Sequence, residues 1–157
     1  MQYKVKNVLA YDDLFFKKIF LSLNTYQKHK IRKLKKKEDQ YLSMLGLYMI
    51  ATLLNTDVKK IYYKMRKPYV KDKNVYFSIA HKYPLVAVVV HSLPVGIDIE
   101  MLRSVDKNTL SYLKASNSLE ALILWTRKEA LYKRSGNKKI IYRTMLLNHH
   151  AILSLCY

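Results

Sequence analysis

The chain has 157 residues, half of them apolar or aromatic, which is enough material for a packed core and excludes wholesale disorder. Its 29 Lys and Arg against 11 Asp and Glu give a formal charge of +18, a field that attracts polyanions: nucleic acid, anionic lipid, a phosphorylated cofactor or an acidic protein. A single cysteine, Cys156, excludes an intrachain disulfide framework, the apolar run PLVAVVV is too short to span a bilayer, and no apolar leader opens the chain, so a soluble cytoplasmic protein is expected.

YKVKNVLAY alternates well enough to predict an opening strand, and DDLFFKKIFLSL, with acids first and lysines within, predicts a helix. KHKIRKLKKK, positions 28 to 37, carries seven Lys or Arg and no acid, and reads as a basic stretch. It gives way to EDQYLSMLGLYMIATLL, where Leu42, Leu45, Met49 and Leu53 form a helical stripe. KIYYKM, NVYFSIAH, LVAVVVH and VGIDIE then predict four strands, separated by RKPYVKD, KYP and SLP, so the middle reads as a meander. SLEALILWTRKEALYKRSG is a marked helix, with Ser118 as its candidate cap and Gly136 as its stop, and KKIIYRTMLL and AILSLCY predict two last strands. The order of strand, helices, sheet, helices and sheet predicts an α+β protein with loose internal repetition and a boundary near 101 to 105, giving lobes at 1–102 and 103–157.

Within VGIDIE two of the scarce acids, Asp98 and Glu100, stand two positions apart in a strand and therefore project from one face, roughly 7 Å apart. On the last helix Trp125, Glu129 and Lys133 follow at i, i+4 and i+8 along another face. Alone, that helical pattern is also what a buried tryptophan beside an intrahelical Glu–Lys pair would show. Taken together, three carboxylates among many lysines suit Mg²⁺, a hard cation that binds few carboxylates, keeps waters and contacts substrate phosphate.

The ordered set Lys67-Pro68, Phe77 to His81, Gly96-Ile97-Asp98-Ile99-Glu100 and Trp125…Lys128-Glu129…Lys133 resembles the 4′-phosphopantetheinyl transferases, in particular the monomeric, pseudo-duplicated type that serves surfactin-like peptide synthetases. KKEDQYLSMLG is similar to that family's amino-terminal segment, so the likeness runs from about residue 27 onward. The resemblance implies two pseudo-duplicated α+β lobes with antiparallel sheets and packed helices, the active site lying between them. It implies Asp98, Glu100 and Glu129 as Mg²⁺ ligands, and Lys30, Ser43, Lys67 and His81 as contacts to coenzyme A. Lys133 becomes the lysine that reaches the pyrophosphate, and Glu129 the residue that activates a serine hydroxyl. The implied reaction moves phosphopantetheine from coenzyme A to the serine of an acyl or peptidyl carrier protein, by a monomer that needs no membrane.

Three positions depart from the family pattern. Ala80 replaces a serine that hydrogen-bonds a phosphate, Gln27 stands where a lysine is expected, and Leu42 where an arginine is expected. The carboxyl-terminal part is also short for a two-lobe member. Three alternatives stay open: a nucleic-acid-binding protein driven by the clustered charge at 28–37 and 59–73, a metal-dependent nuclease, and a catalytically degenerate relative.

Overall fold

The computed structural model describes residues 1–157 except 65, 66, 72, 135–139 and 149, and except the side chains of 64 and 67. Its elements are β1 (Gln2–Asn7), α1 (Asp13–Ser22), α2 (Thr25–Arg32), α3 (Lys37–Leu53), β2 (Ile61–Lys64), β3 (Lys67–Val70), β4 (Tyr76–Lys82), β5 (Leu85–His91), β6 (Gly96–Met101), α4 (Lys107–Leu113), α5 (Ser118–Lys133), β7 (Tyr142–Leu147) and β8 (Ala151–Cys156). The strands form two three-stranded antiparallel sheets, β1-β5-β4 and β6-β8-β7, and a separate β2-β3 hairpin.

The apolar pattern of each strand decides which layers it joins. β5 is apolar at successive positions because both its faces are covered: Val86 and Val88 join the core under α1 and α3, while Ala87 and Val89 face the other sheet. The inter-sheet core is completed by Ala80, Val95, Ile97, Ile99, Leu153 and Leu155. α5 covers the opposite face of the second sheet through Ala121, Leu122, Thr126 and Ala130. The result is α+β, with two similar halves in which helices lie on a three-stranded sheet, and the halves meet sheet to sheet.

Several expectations are corrected here. The middle is not a meander: β4 and β5 form a hairpin, but β6 leaves that sheet and pairs with β8, Gly96 opposite Cys156 and Met101 opposite Ala151. The reason is β6's two-sided character, since Ile97 and Ile99 must face the first sheet while the even positions face α5. RKPYVKD is not a separator, because Lys67–Val70 forms β3 against β2. Pro68 is tolerated there because a two-stranded hairpin leaves one row of amides without ladder partners. The basic stretch holds α2, whose Asn24 and Gln27 close a reciprocal capping box before it. α5 is capped one residue earlier than expected, Asn117 accepting from Glu120 N at 3.0 Å, while Ser118 Oγ accepts from Val105 N. α4 precedes α5 in the helical part expected after the middle sheet, and Gly136 lies outside the described residues.

Candidate functional site

The edge strand of each sheet borders the other sheet's edge strand. β4 and β6 lie side by side, and Ile97 N donates to Ser78 Oγ at 3.4 Å across the seam. α5 reaches this seam through Gly96. A Cβ built there would stand 1.9 Å from the Ala130 carbonyl oxygen, so glycine lets the helix rest directly on the strand backbone. The same helix is fastened farther along by buried hydroxyls: Thr126 Oγ1 and Ser154 Oγ are 2.8 Å apart, Ser154 meets Thr144, and Arg127 Nε donates to Thr144 Oγ1. These contacts fix which face of α5 meets β6.

That face carries the candidate chemistry. Lys133 Nζ donates to Asp98 Oδ1 at 2.5 Å, with both side chains largely withdrawn from water. Burial raises the Asp98 carboxyl above the ordinary aspartate range; Lys133 opposes that shift, and the charges of Glu129 and Glu100 add to it. Asp98 therefore lies in the field of both other carboxylates. Glu100 is paired from the other sheet: Lys82 Nζ is 3.2 Å from Oε1 and 3.1 Å from Oε2. The second approach is within ion-pair range but poorly aimed, leaving buried Oε2 without a hydrogen bond.

His81 projects from β4 at the rim of the same seam. The protein packed around it lowers its imidazole below the usual histidine value, with Lys133 helping and Asp39 on α3 opposing. These couplings join β4, α3 and α5 at one place. Ser43 follows Asp39 by one helical turn, and Gly46 allows α3 to settle on β4, where an added Cβ would meet Ile79 Cγ2 at 2.8 Å. Ser43 is half-buried on that strip. Lys30 is elsewhere: its Nζ stands 3.8 Å over the Tyr63 ring, beside the β2-β3 hairpin. Lys67 opens β3 in that hairpin, opposite Lys64, and its side chain lies outside the described residues.

The seam thus gathers Asp98, Glu100, Glu129, Lys133 and His81, while Lys30 and the Lys67 backbone belong to the α2-hairpin region. Two further participants, Lys82 and Asp39, escaped sequence reasoning. Asp39 read only as a helix-start acid, although its i, i+4 relation to Ser43 was available. Lys82 sits two positions after Ala80, on the same side of β4.

The donor set fits a small divalent cation: three carboxylates are hard oxygen ligands, and Glu100 offers a buried oxygen lacking a hydrogen bond. Among the described residues, however, no group of three or more His, Cys, Asp or Glu is drawn together as a ring of ligands. Asp98 and Glu100 each hold a lysine instead.

The three departures have structural causes. Ala80 lies in the inter-sheet core opposite Ala87, where a small apolar side chain lets the sheets approach. Leu42 is buried in the core under α3. Gln27 is 1 % exposed and donates through Nε2 to the Val58 and Ile61 carbonyls at 2.8 and 2.9 Å. It ties α2 to the start of β2, a task its neutral amide suits and a lysine's charge does not.

No family model matches the chain. Over 119 aligned residues it is 32% identical to the 4′-phosphopantetheinyl transferase gsp of Aneurinibacillus migulanus, an alignment covering 63% of this chain and 50% of that protein. The chain spans about half the length of the curated relative it matches. Among the described residues no helix is long and apolar enough to cross a membrane.

Proposed function

We propose that this chain is a magnesium-dependent 4′-phosphopantetheinyl transferase that uses coenzyme A to modify a serine of an acyl or peptidyl carrier protein. The observation that carries the reading is the docking of α5 on Gly96, which sets Lys133 against Asp98 with Glu129 in the same field. Similarity to a transferase of that name supports it independently. The lobes 1–102 and 103–157 then flank the cofactor cleft, with β4 of the first sheet meeting β6, which pairs with β8, at the seam.

In this reading Lys30, Ser43, Lys67 and His81 hold coenzyme A through its phosphates. Lys133 leaves Asp98 for the diphosphate, where its charge offsets the negative charge gathering on the leaving phosphate as the pyrophosphate bond breaks. The carrier serine oxygen forms the new P–O bond, 3′,5′-adenosine bisphosphate departs, and the serine proton passes to Glu129 directly or through water. Mg²⁺ held by Asp98, Glu100 and Glu129 supplies charge neutralisation at the diphosphate. The +18 charge of the chain suits an acidic carrier and an anionic donor.

Intact-protein mass spectrometry tests the reading directly. Incubated with Mg²⁺, coenzyme A and several unrelated carrier domains, the protein should add about 340 Da to a carrier serine, the increment of covalent phosphopantetheine transfer. Asp98→Ala should abolish the gain. No modification with any divalent ion, together with steeply salt-dependent DNA or RNA binding, would replace this reading with nucleic-acid binding.

A further inference from the structure

From the ion pair that Lys82 makes across the seam with both carboxylate oxygens of Glu100, we propose that Lys82 is a tethered competitor of the divalent ion, making metal binding conditional on a diphosphate-bearing ligand. This inference rests on the transferase reading for its metal site.

The seam holds three carboxylates, Asp98, Glu100 and Glu129, and two ammonium groups already placed on two of them. Its charge is therefore largely compensated without any metal. The two partners of the second pair differ in a useful way. Glu100 keeps 12% of its side-chain exposure and would be costly to leave as an uncompensated anion, whereas Lys82 keeps 42% and is anchored to a different sheet by a flexible stem. The ammonium therefore satisfies a buried anion, and can move into solvent at small cost once another cation compensates that anion. Neither approach is short, and Oε2 is met at an angle that makes no hydrogen bond, so the pair is a loose hold.

A divalent ion approaching Glu100 must displace this ammonium and then face its repulsion. A diphosphate entering beside Lys133 changes the balance, because it offers Lys82 another anion. Metal and diphosphate should then strengthen each other's binding by the same factor, as linkage requires.

Manganese binding to the full chain, followed by the paramagnetic resonance signal of free Mn²⁺, tests this without reference to turnover. Wild type should bind Mn²⁺ weakly alone and about tenfold more tightly with coenzyme A present. Lys82→Met should bind Mn²⁺ alone about tenfold more tightly than wild type and gain less from coenzyme A, and Lys82→Arg should stay close to wild type. Lys82→Gln, which keeps a donor for Glu100, provides a second neutral variant should the methionine disturb folding. Equal affinity for Mn²⁺ alone in wild type and a folded neutral variant overturns the inference and leaves the transferase reading standing. Tighter Mn²⁺ in the variant with no carrier modified by wild type upholds the competition and removes the transferase. If no form binds Mn²⁺ even with coenzyme A, both the competition and the metal site fall.

Discussion

Around Asp98 the backbone sets the geometry, because α5 rests on Gly96 with nothing between helix and strand. Around Lys30 the geometry is set by side chains, chiefly the Gln27 amide, which holds α2 to the carbonyls of Val58 and Ile61, while the lysine itself lies on a tyrosine ring. The first region leaves almost no room for adjustment and fixes the separations of the charged groups it carries. The second places charges on a helix held by the Gln27 amide, by Asn24 Nδ2 donating to the Lys59 carbonyl and by buried Ile31.

The largest expected effect is at the first region. Gly96→Ala should lower unfolding free energy by at least about 3 kcal/mol, since the methyl meets a backbone carbonyl and α5 must lift as a unit. Urea denaturation reads this, and a fully stable variant would show that the helix does not depend on that contact. At the second region, Gln27→Leu should cost about 2 kcal/mol by stranding two buried carbonyls and half of the capping box. Gln27→Lys should cost more, because the residue is buried and the ammonium brings a charge inside. Wild-type stability in the lysine variant would mean that α2 stands open enough to present a cation there.

The smallest effect is a pH dependence within the first region. The Asp98 carboxyl is raised above its ordinary 3.8, so the native state binds protons more readily than the unfolded chain. Its favourable contribution is complete below about 3.8 and disappears as pH rises through the native value. His81 runs the other way: lowered from 6.5, it contributes above that value and loses its contribution as pH falls through the native one. The stability of Asp98→Asn relative to wild type should therefore increase from pH 3 toward neutrality. A flat difference would mean that burial does not raise this carboxyl.

The seam was legible where its residues followed local spacing. Asp98 and Glu100 share a strand face, and Glu129 and Lys133 a helix face, so periodicity alone grouped each pair. That β6 would pair with β8 was not legible, because its ladder partners run from Cys156 opposite Gly96 to Ala151 opposite Met101, far along the chain, and β5 lies immediately before it. α2 was hidden by composition: only Gln27 and Ile31 point inward, and a helix with two buried residues resembles a charge run. Lys82 was hidden for a different reason. Its significance is its partner, and a lysine on a chain with 29 basic residues carries no signal until Glu100 is seen across the seam.

The side-by-side placement of β4 and β6 also bears on how copies of this chain behave in solution. An unpaired strand border is a template for another molecule's strand, and here two of the four borders of the main sheets screen each other. The remaining borders are β1 and β7, which approach where the Tyr3 hydroxyl meets Met145 sulfur. β1 carries exposed Lys4 and Lys6, and β7 carries exposed Arg143. Two copies meeting border to border would bring like charges together. Repulsion at these strands thus acts as gatekeeping, the excess of basic residues guarding the sheets against fibre-like stacking.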